Sequence, residues 1–173
     1  MAKQPKKLDE LFHEGLKDIY FAEKKILSAL PKMAKAAGSE ELAGAFKQHE
    51  EETEEQVKRL EQVFKMIDET PRGKNCPAIM GIIGEGEEII KEYKNSPALD
   101  AGLVGAAQAV EHYEISRYGT LRAWAQELEL DEAASLLQET LDEEKQTDNK
   151  LTELAREVLN QKAEEEEEEE EAV

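Results

Sequence analysis

One side of a helix drawn through residues 104–128 carries Val104, Ala107, Glu111, Glu114, Tyr118, Leu121, Ala125 and Leu128. Two glutamates therefore stand in the middle of an otherwise apolar stripe. Their spacing stacks the two carboxylates on one helix face. An unpaired buried carboxylate costs on the order of several kcal/mol, so a fold that buries this stripe must bring a compensating cation, either a metal or a basic side chain. Whatever compensates these acids has to come from outside their own helix.

The rest of the chain reads as helices able to do so. Strong helix formers dominate, and Gly and Pro fall mainly at joints. A first helix is expected from about Leu8 to Ala37, with Pro31 as a kink and Gly38 as a left-handed cap. Its apolar stripe is Phe12, Leu16, Ile19, Tyr20, Ile26, Leu27 and Leu30, and Glu23 lies seven residues from both Leu16 and Leu30, on their side. Ser39 is placed to cap a second helix reaching about Glu69, with Glu40 and Glu41 favourable in its first turn. Between its apolar ends, Leu42, Ala45, Phe46 and Leu60, Val63, Phe64, Ile67, the inward side reads His49, Glu52, Thr53, Gln56.

After the loop PRGKNCP, residues 78–94 form a shorter isoleucine-rich segment that suits a crossover piece. Ser96 and Pro97 open a third long helix running to about Glu129. Asp131 is placed to cap a fourth, to about Gln161, whose stripe is Leu137, Thr140, Glu144, Thr147, Leu151, Leu154 and Val158. The fold class is all-α. The arrangement expected is a four-helix bundle over residues 1–161, with a short crossover helix letting the second and third long helices run parallel. An acidic tail, residues 162–173, follows and is expected to be disordered, because eight consecutive glutamates, Glu164 to Glu171, repel one another.

The formal charge is −19, and without those eight glutamates the body still carries −11. That balance argues against sequence-independent binding to nucleic acid or to an anionic membrane, and makes cations the natural company. No run of apolar residues is long enough for a membrane span, and the N-terminus lacks the apolar stretch of a secretory signal. The single cysteine, Cys76, cannot pair within the chain and is expected to be a small apolar filler or a helix start. A cytoplasmic protein is the expectation.

Four helices thus carry inward acids near mid-length: Glu23 on the first, Glu52 beside His49 on the second, Glu111 and Glu114 on the third, Glu144 on the fourth. Such convergence is what a carboxylate-bridged pair of divalent cations requires, and oxygen-rich ligation suits iron or manganese better than zinc. The competing reading is a metal-free polar core in which Arg117 or Lys145 pairs with the acids. His112 points well away from Glu111 and suits an interface, His13 is expected to be exposed, and Tyr20 and Tyr118 are core residues with satisfied hydroxyls or donors to the site.

The segments DIYFAEKKIL, HEEET, VEHYEISRYGTL and LLQETLDEEKQTDNKLTELA together resemble the YciE/YciF-type stress proteins of the ferritin-like superfamily, over roughly residues 8–160. The resemblance implies a ferritin-like bundle, a homodimer and a di-iron-type site near mid-bundle. The third-helix pair Glu111 and Glu114 is also similar to the pair in rubrerythrin-like proteins. The usual ExxH pairs are altered: Glu52 is followed by Glu55 and Glu144 by Thr147, so both expected histidines are absent. His49 precedes Glu52, and the lean of helical side chains leaves it either a ligand or a hydrogen-bond partner of a ligand.

The resulting expectation is a protein that holds two iron ions, or manganese, through Glu23, His49, Glu52, Glu111, Glu114 and Glu144, with Glu52 and Glu114 bridging. It would reduce a small oxidant, peroxide or dioxygen, during stress. The alternative is a non-catalytic stress or scaffold protein in which the metal is structural or absent.

Overall fold

The computed structural model describes residues 5–164, and the glutamate run from residue 165 onward, expected to be a disordered tail, lies outside them. Five principal helices follow in order: α1 (Leu8–Ala36), α2 (Glu40–Met66), α3 (Pro77–Glu92), α4 (Leu99–Glu127) and α5 (Asp131–Leu154). The last continues through a π-helical turn, Ala155–Leu159, into a short α6, Asn160–Lys162. No strand occurs among the described residues.

Short connections make α1 with α2, and α4 with α5, antiparallel hairpins, and the hairpins pack so that α1 lies beside α4 and α2 beside α5. The carboxylate of Asp100, at the start of α4, accepts from the backbone N–H groups of Gly38 and Ser39, both at 2.8 Å. The N-terminus of α4 therefore sits at the same end of the bundle as the N-terminus of α2, and the two helices run parallel. To get there the chain crosses the length of the bundle as α3, which lies along α4 and α1. At the far end Lys74 donates its backbone N–H to the Lys17 carbonyl at 3.0 Å, which anchors the start of that crossing.

Several helix ends differ from the sequence expectation. Gly38 does not take the left-handed conformation: Ala37 is extended (φ −57°, ψ 133°), and Asp100 supplies the hydrogen-bond partners that a glycine cap would have provided. The left-handed positions fall instead on Asp68, Asn95 and Glu129, with φ of 58°, 64° and 58°, which close α2, α3 and α4. Ser39 caps α2 as expected, accepting from Leu42 N–H at 3.4 Å. Asp131 is the first residue of α5, not its cap, and Ser96 accepts from Ala98 N–H at 3.2 Å before α4 begins at Leu99. Pro31 stays inside a continuous α1.

The apolar stripes meet in one core that includes Phe12, Leu16, Leu42, Phe64, Leu103 and Leu137. Between α3 and α4 the approach is close: a Cβ on Gly102 would lie 2.7 Å from Ile89 Cγ2, so any larger residue there must displace the Ile89 side chain.

Candidate metal centre

Midway along the bundle the core turns from hydrocarbon to carboxylate. Glu23, Glu111, Glu114 and Glu144 are at most 1% exposed, and His49 is 3% exposed. Each arrives by the periodicity that buries its neighbours: Glu23 lies in the stripe between Leu16 and Leu30, Glu144 in that between Leu137 and Leu151. Single ligand atoms from His49, Glu111, Glu114 and Glu144 all lie within 4.8 Å of one another. Glu23 joins from the α1 side, where Tyr118 Oη donates to its Oε1.

The α2 face divides between the interior and the rim. His49 turns Nε2 to Glu111 Oε1 at 3.3 Å and to Glu144 Oε2 at 4.0 Å, while Nδ1 faces Glu52 at 3.9 Å. The Glu52 side chain is 29% exposed and accepts from Gln48 Nε2 at 2.8 Å and from Thr147 Oγ1 at 3.4 Å. Glu52 thus stands at the edge of the cluster, outside the group whose ligand atoms converge. Farther along α2, Gln56 Nε2 donates to Glu144 Oε1 and, at 3.1 Å, to Glu143 Oε2. Arg59 in turn grips Glu143 through both terminal nitrogens at 2.6 Å.

Among the described residues no lysine or arginine reaches the four buried glutamates. Arg117 lies over the Tyr113 ring at 5.2 Å with its Nε 3.8 Å from Asp18, and Lys145 sits 3.9 Å from Asp142. Arg59 stops at Glu143, one residue short of the cluster. Oxygens of Glu23, Glu111, Glu114 and Glu144, together with both ring nitrogens of His49, consequently find no hydrogen-bond partner outside the cluster although they are shielded from water, and within it only a retained proton can pair Glu23 with Glu114 and Glu111 with Glu144. Both oxygens of Glu114 are in this state. Native interiors satisfy nearly all their polar atoms, so a concentration of unsatisfied acceptors of this kind is an arrangement that could hold a metal ion.

The electrostatics follow from that burial. Desolvation pushes the Glu23 carboxyl up to about 8, reinforced by the charge of Glu144 and opposed by the Tyr118 hydroxyl. Desolvation and the same neighbour hold Glu111 and Glu114 well above the usual carboxylate range. Tyr118 is raised as well, first by burial and then by Glu23. Glu52 moves the other way, lowered by the His49 imidazole beside it and by the Gln48 amide.

Of the residues singled out in the sequence, the structure brings Glu23, His49, Glu111, Glu114 and Glu144 together and leaves Glu52 at the rim. Tyr118 is a hydrogen-bond donor to the site. Gln56 and Thr147 were visible as inward polar residues, but only the α2–α5 packing shows that both touch its carboxylates. His112 is outward, its side chain 70% exposed and 3.3 Å from Asp148. His13 is half-buried where exposure was expected, set edge-on to Phe64 and 3.4 Å from Glu69. Cys76 is a buried residue preceding α3, with Sγ 3.2 Å from Tyr113 Oη.

The comparisons with known proteins agree with this architecture. Protein YciF of Escherichia coli K12 is 44% identical over 160 residues, covering 92% of this chain and 96% of its own. The crystal structure of that E. coli stress protein superposes with a TM-score of 0.86 at 43% identity, covering 90% of this chain and 99% of that one. YcfI of Rhodopseudomonas palustris gives 0.84 at 46% identity, over 88% and 97% of the two chains. A protein of Xanthomonas campestris shares the fold at 22% identity and a TM-score of 0.68, over 89% and 94%. The family described as a domain of unknown function, DUF892, matches residues 7–164, and this chain belongs to it as a relative of YciF.

Proposed function

We propose that the carboxylate cluster is a dinuclear centre for iron or manganese. The observation that carries this reading is the set of four buried glutamates with unpartnered oxygens and no lysine or arginine within reach among the described residues. Four ionised carboxylates carry the charge that two divalent cations balance, and a donor set of oxygens with one imidazole suits iron or manganese. Glu23, Glu111, Glu114 and Glu144 would hold the ions, with His49 through Nε2. Glu52, 3.9 Å from Nδ1 at the rim, is the remaining oxygen ligand that α2 would offer.

Bound iron would supply electrons to dioxygen or peroxide, and the relatedness to a stress protein suits that task. The chain's own residues prepare the place. Tyr118 fixes one oxygen of Glu23, and Gln56 fixes one oxygen of Glu144, leaving Oε2 of each free to ligate. The Arg59 and Glu143 pair holds Gln56 in turn. The surrounding apolar core excludes water and so strengthens each electrostatic contact inside.

Anaerobic loading with Fe²⁺ followed by metal analysis tests the reading, with about two ions per chain expected. Fewer than roughly one ion for every two chains would overturn it. Full loading with no consumption of peroxide or dioxygen would leave a structural metal and remove the redox role.

A further inference from the structure

Beside the carboxylate cluster the core is left unfilled. A cavity of about 50 Å³ lies where all five principal helices meet, walled by hydrocarbon from Ile26, Phe46, Ile83 and Leu151. Two short side chains, Ala45 and Ala107, keep it open. Its inner end is His49 and Glu111, which also belong to the cluster. At its rim Lys32 and Glu87 pair at 2.8 Å across α1 and α3, 61% and 55% exposed.

Size, polarity and position together select an occupant. A water needs roughly 10–15 Å³ of such space, so this cavity admits a small molecule and excludes an acyl chain or an aromatic metabolite. Water and hydrogen peroxide each need two or more polar partners, which His49, Glu111, Gln48, Glu52, Thr147 and Lys150 can offer where they line the cavity, whereas the rest of the wall is hydrocarbon that offers none. An apolar diatomic forfeits no hydrogen bonds on entering. The inner end then places it against the imidazole and carboxylate of the cluster.

We infer that this cavity is a binding site for dioxygen, entered from the rim between α1 and α3 and ending at His49 and Glu111. Its mostly hydrocarbon wall favours dioxygen over peroxide as the oxidant of the centre proposed above. The assignment rests on that centre for its purpose, but occupancy of the cavity by a gas does not depend on metal.

Xenon, an apolar probe of similar size, tests the binding directly on the full-length, metal-free protein, by ¹²⁹Xe chemical-shift titration and in crystals under xenon pressure. Xenon is expected against Phe46 and Ala107. Ala45→Leu should weaken its binding by about tenfold or more, and Ala107→Leu, which must fill the cavity from a buried position, provides a second variant. In iron-loaded protein, Ala45→Leu should slow Fe²⁺ oxidation by dioxygen about fivefold and leave oxidation by hydrogen peroxide within about twofold.

No xenon in the wild-type cavity, or xenon binding indifferent to both substitutions, overturns the site. Equal slowing with both oxidants overturns the selection of dioxygen. Failure to bind iron would overturn the metal centre alone, and the xenon measurements would still decide whether the cavity takes up a gas.

Discussion

The Tyr118 hydroxyl on α4 donates to Glu23 Oε1 on α1, joining the two hairpins through a fully buried pair. Removing the donor in Tyr118→Phe leaves a buried acceptor unsatisfied without changing the shape of the core. We expect the metal-free protein to lose about 1–3 kcal/mol of stability, measured by urea unfolding. A variant as stable as the wild type would mean that the pair contributes nothing to holding α1 against α4.

Glu114 offers two unpartnered oxygens at the centre of the cluster. Glu114→Gln replaces one of them by a donor and removes the charge, so metal occupancy should fall by at least about tenfold. His112→Gln changes an outward residue two positions earlier and should leave occupancy as it was. Metal content after identical loading reads both, and retained occupancy in the Glu114→Gln variant would remove Glu114 from the ligand set.

The raised carboxyl groups give the metal-stripped protein an unusual pH dependence. Glu23 keeps its proton in the folded state up to about 8, whereas its ordinary value is 4.5. The stability it contributes is therefore fully present below about 4.5 and is lost as pH rises through about 8. Glu111 and Glu114, shifted in the same direction, add to the slope. Between about pH 5.5 and about pH 8, where surface acids are already ionised, we expect the urea midpoint to fall, corresponding to on the order of a few kcal/mol. Metal loading should flatten the curve. A midpoint in the chelator-treated protein that stays level or rises over this range would contradict the burial of unpaired acids.

Two glycines of α4 should respond oppositely to alanine. Gly102→Ala would put a Cβ 2.7 Å from Ile89 Cγ2 and force that side chain out of its place between α3 and α4, costing about 1–3 kcal/mol. Gly105→Ala meets nothing within 4 Å and should gain roughly 0.5–1 kcal/mol from helix propensity. Thermal unfolding of the pair separates close packing from backbone entropy.

The long helices and their inward acids were legible because the apolar period runs unbroken through Glu23, Glu111, Glu114 and Glu144. A side chain on that stripe is buried whatever its chemistry. Less legible were features decided by contacts distant in sequence. The turn after α1 is held by Asp100 from 61 and 62 residues away, so the local preference of Gly38 for a left-handed cap did not decide it. Whether Glu52 enters the cluster depends on Gln48 and Thr147, and only the packing of α2 against α5 sets the second of those contacts. Gln56 reads as one more polar residue until Glu144 and Glu143 are placed beside its amide.

Each hairpin brings only part of the donor set: Glu23 and His49 come from the first, Glu111, Glu114 and Glu144 from the second. The complete donor set would exist only once the two have docked. If the cluster holds ions as proposed, ion affinity and hairpin association would be one linked equilibrium, in which free metal would act as the adhesive and a chelator as the solvent. A chain nicked within the α3 crossing should reassemble from its two pieces far more readily with the ions present than without them.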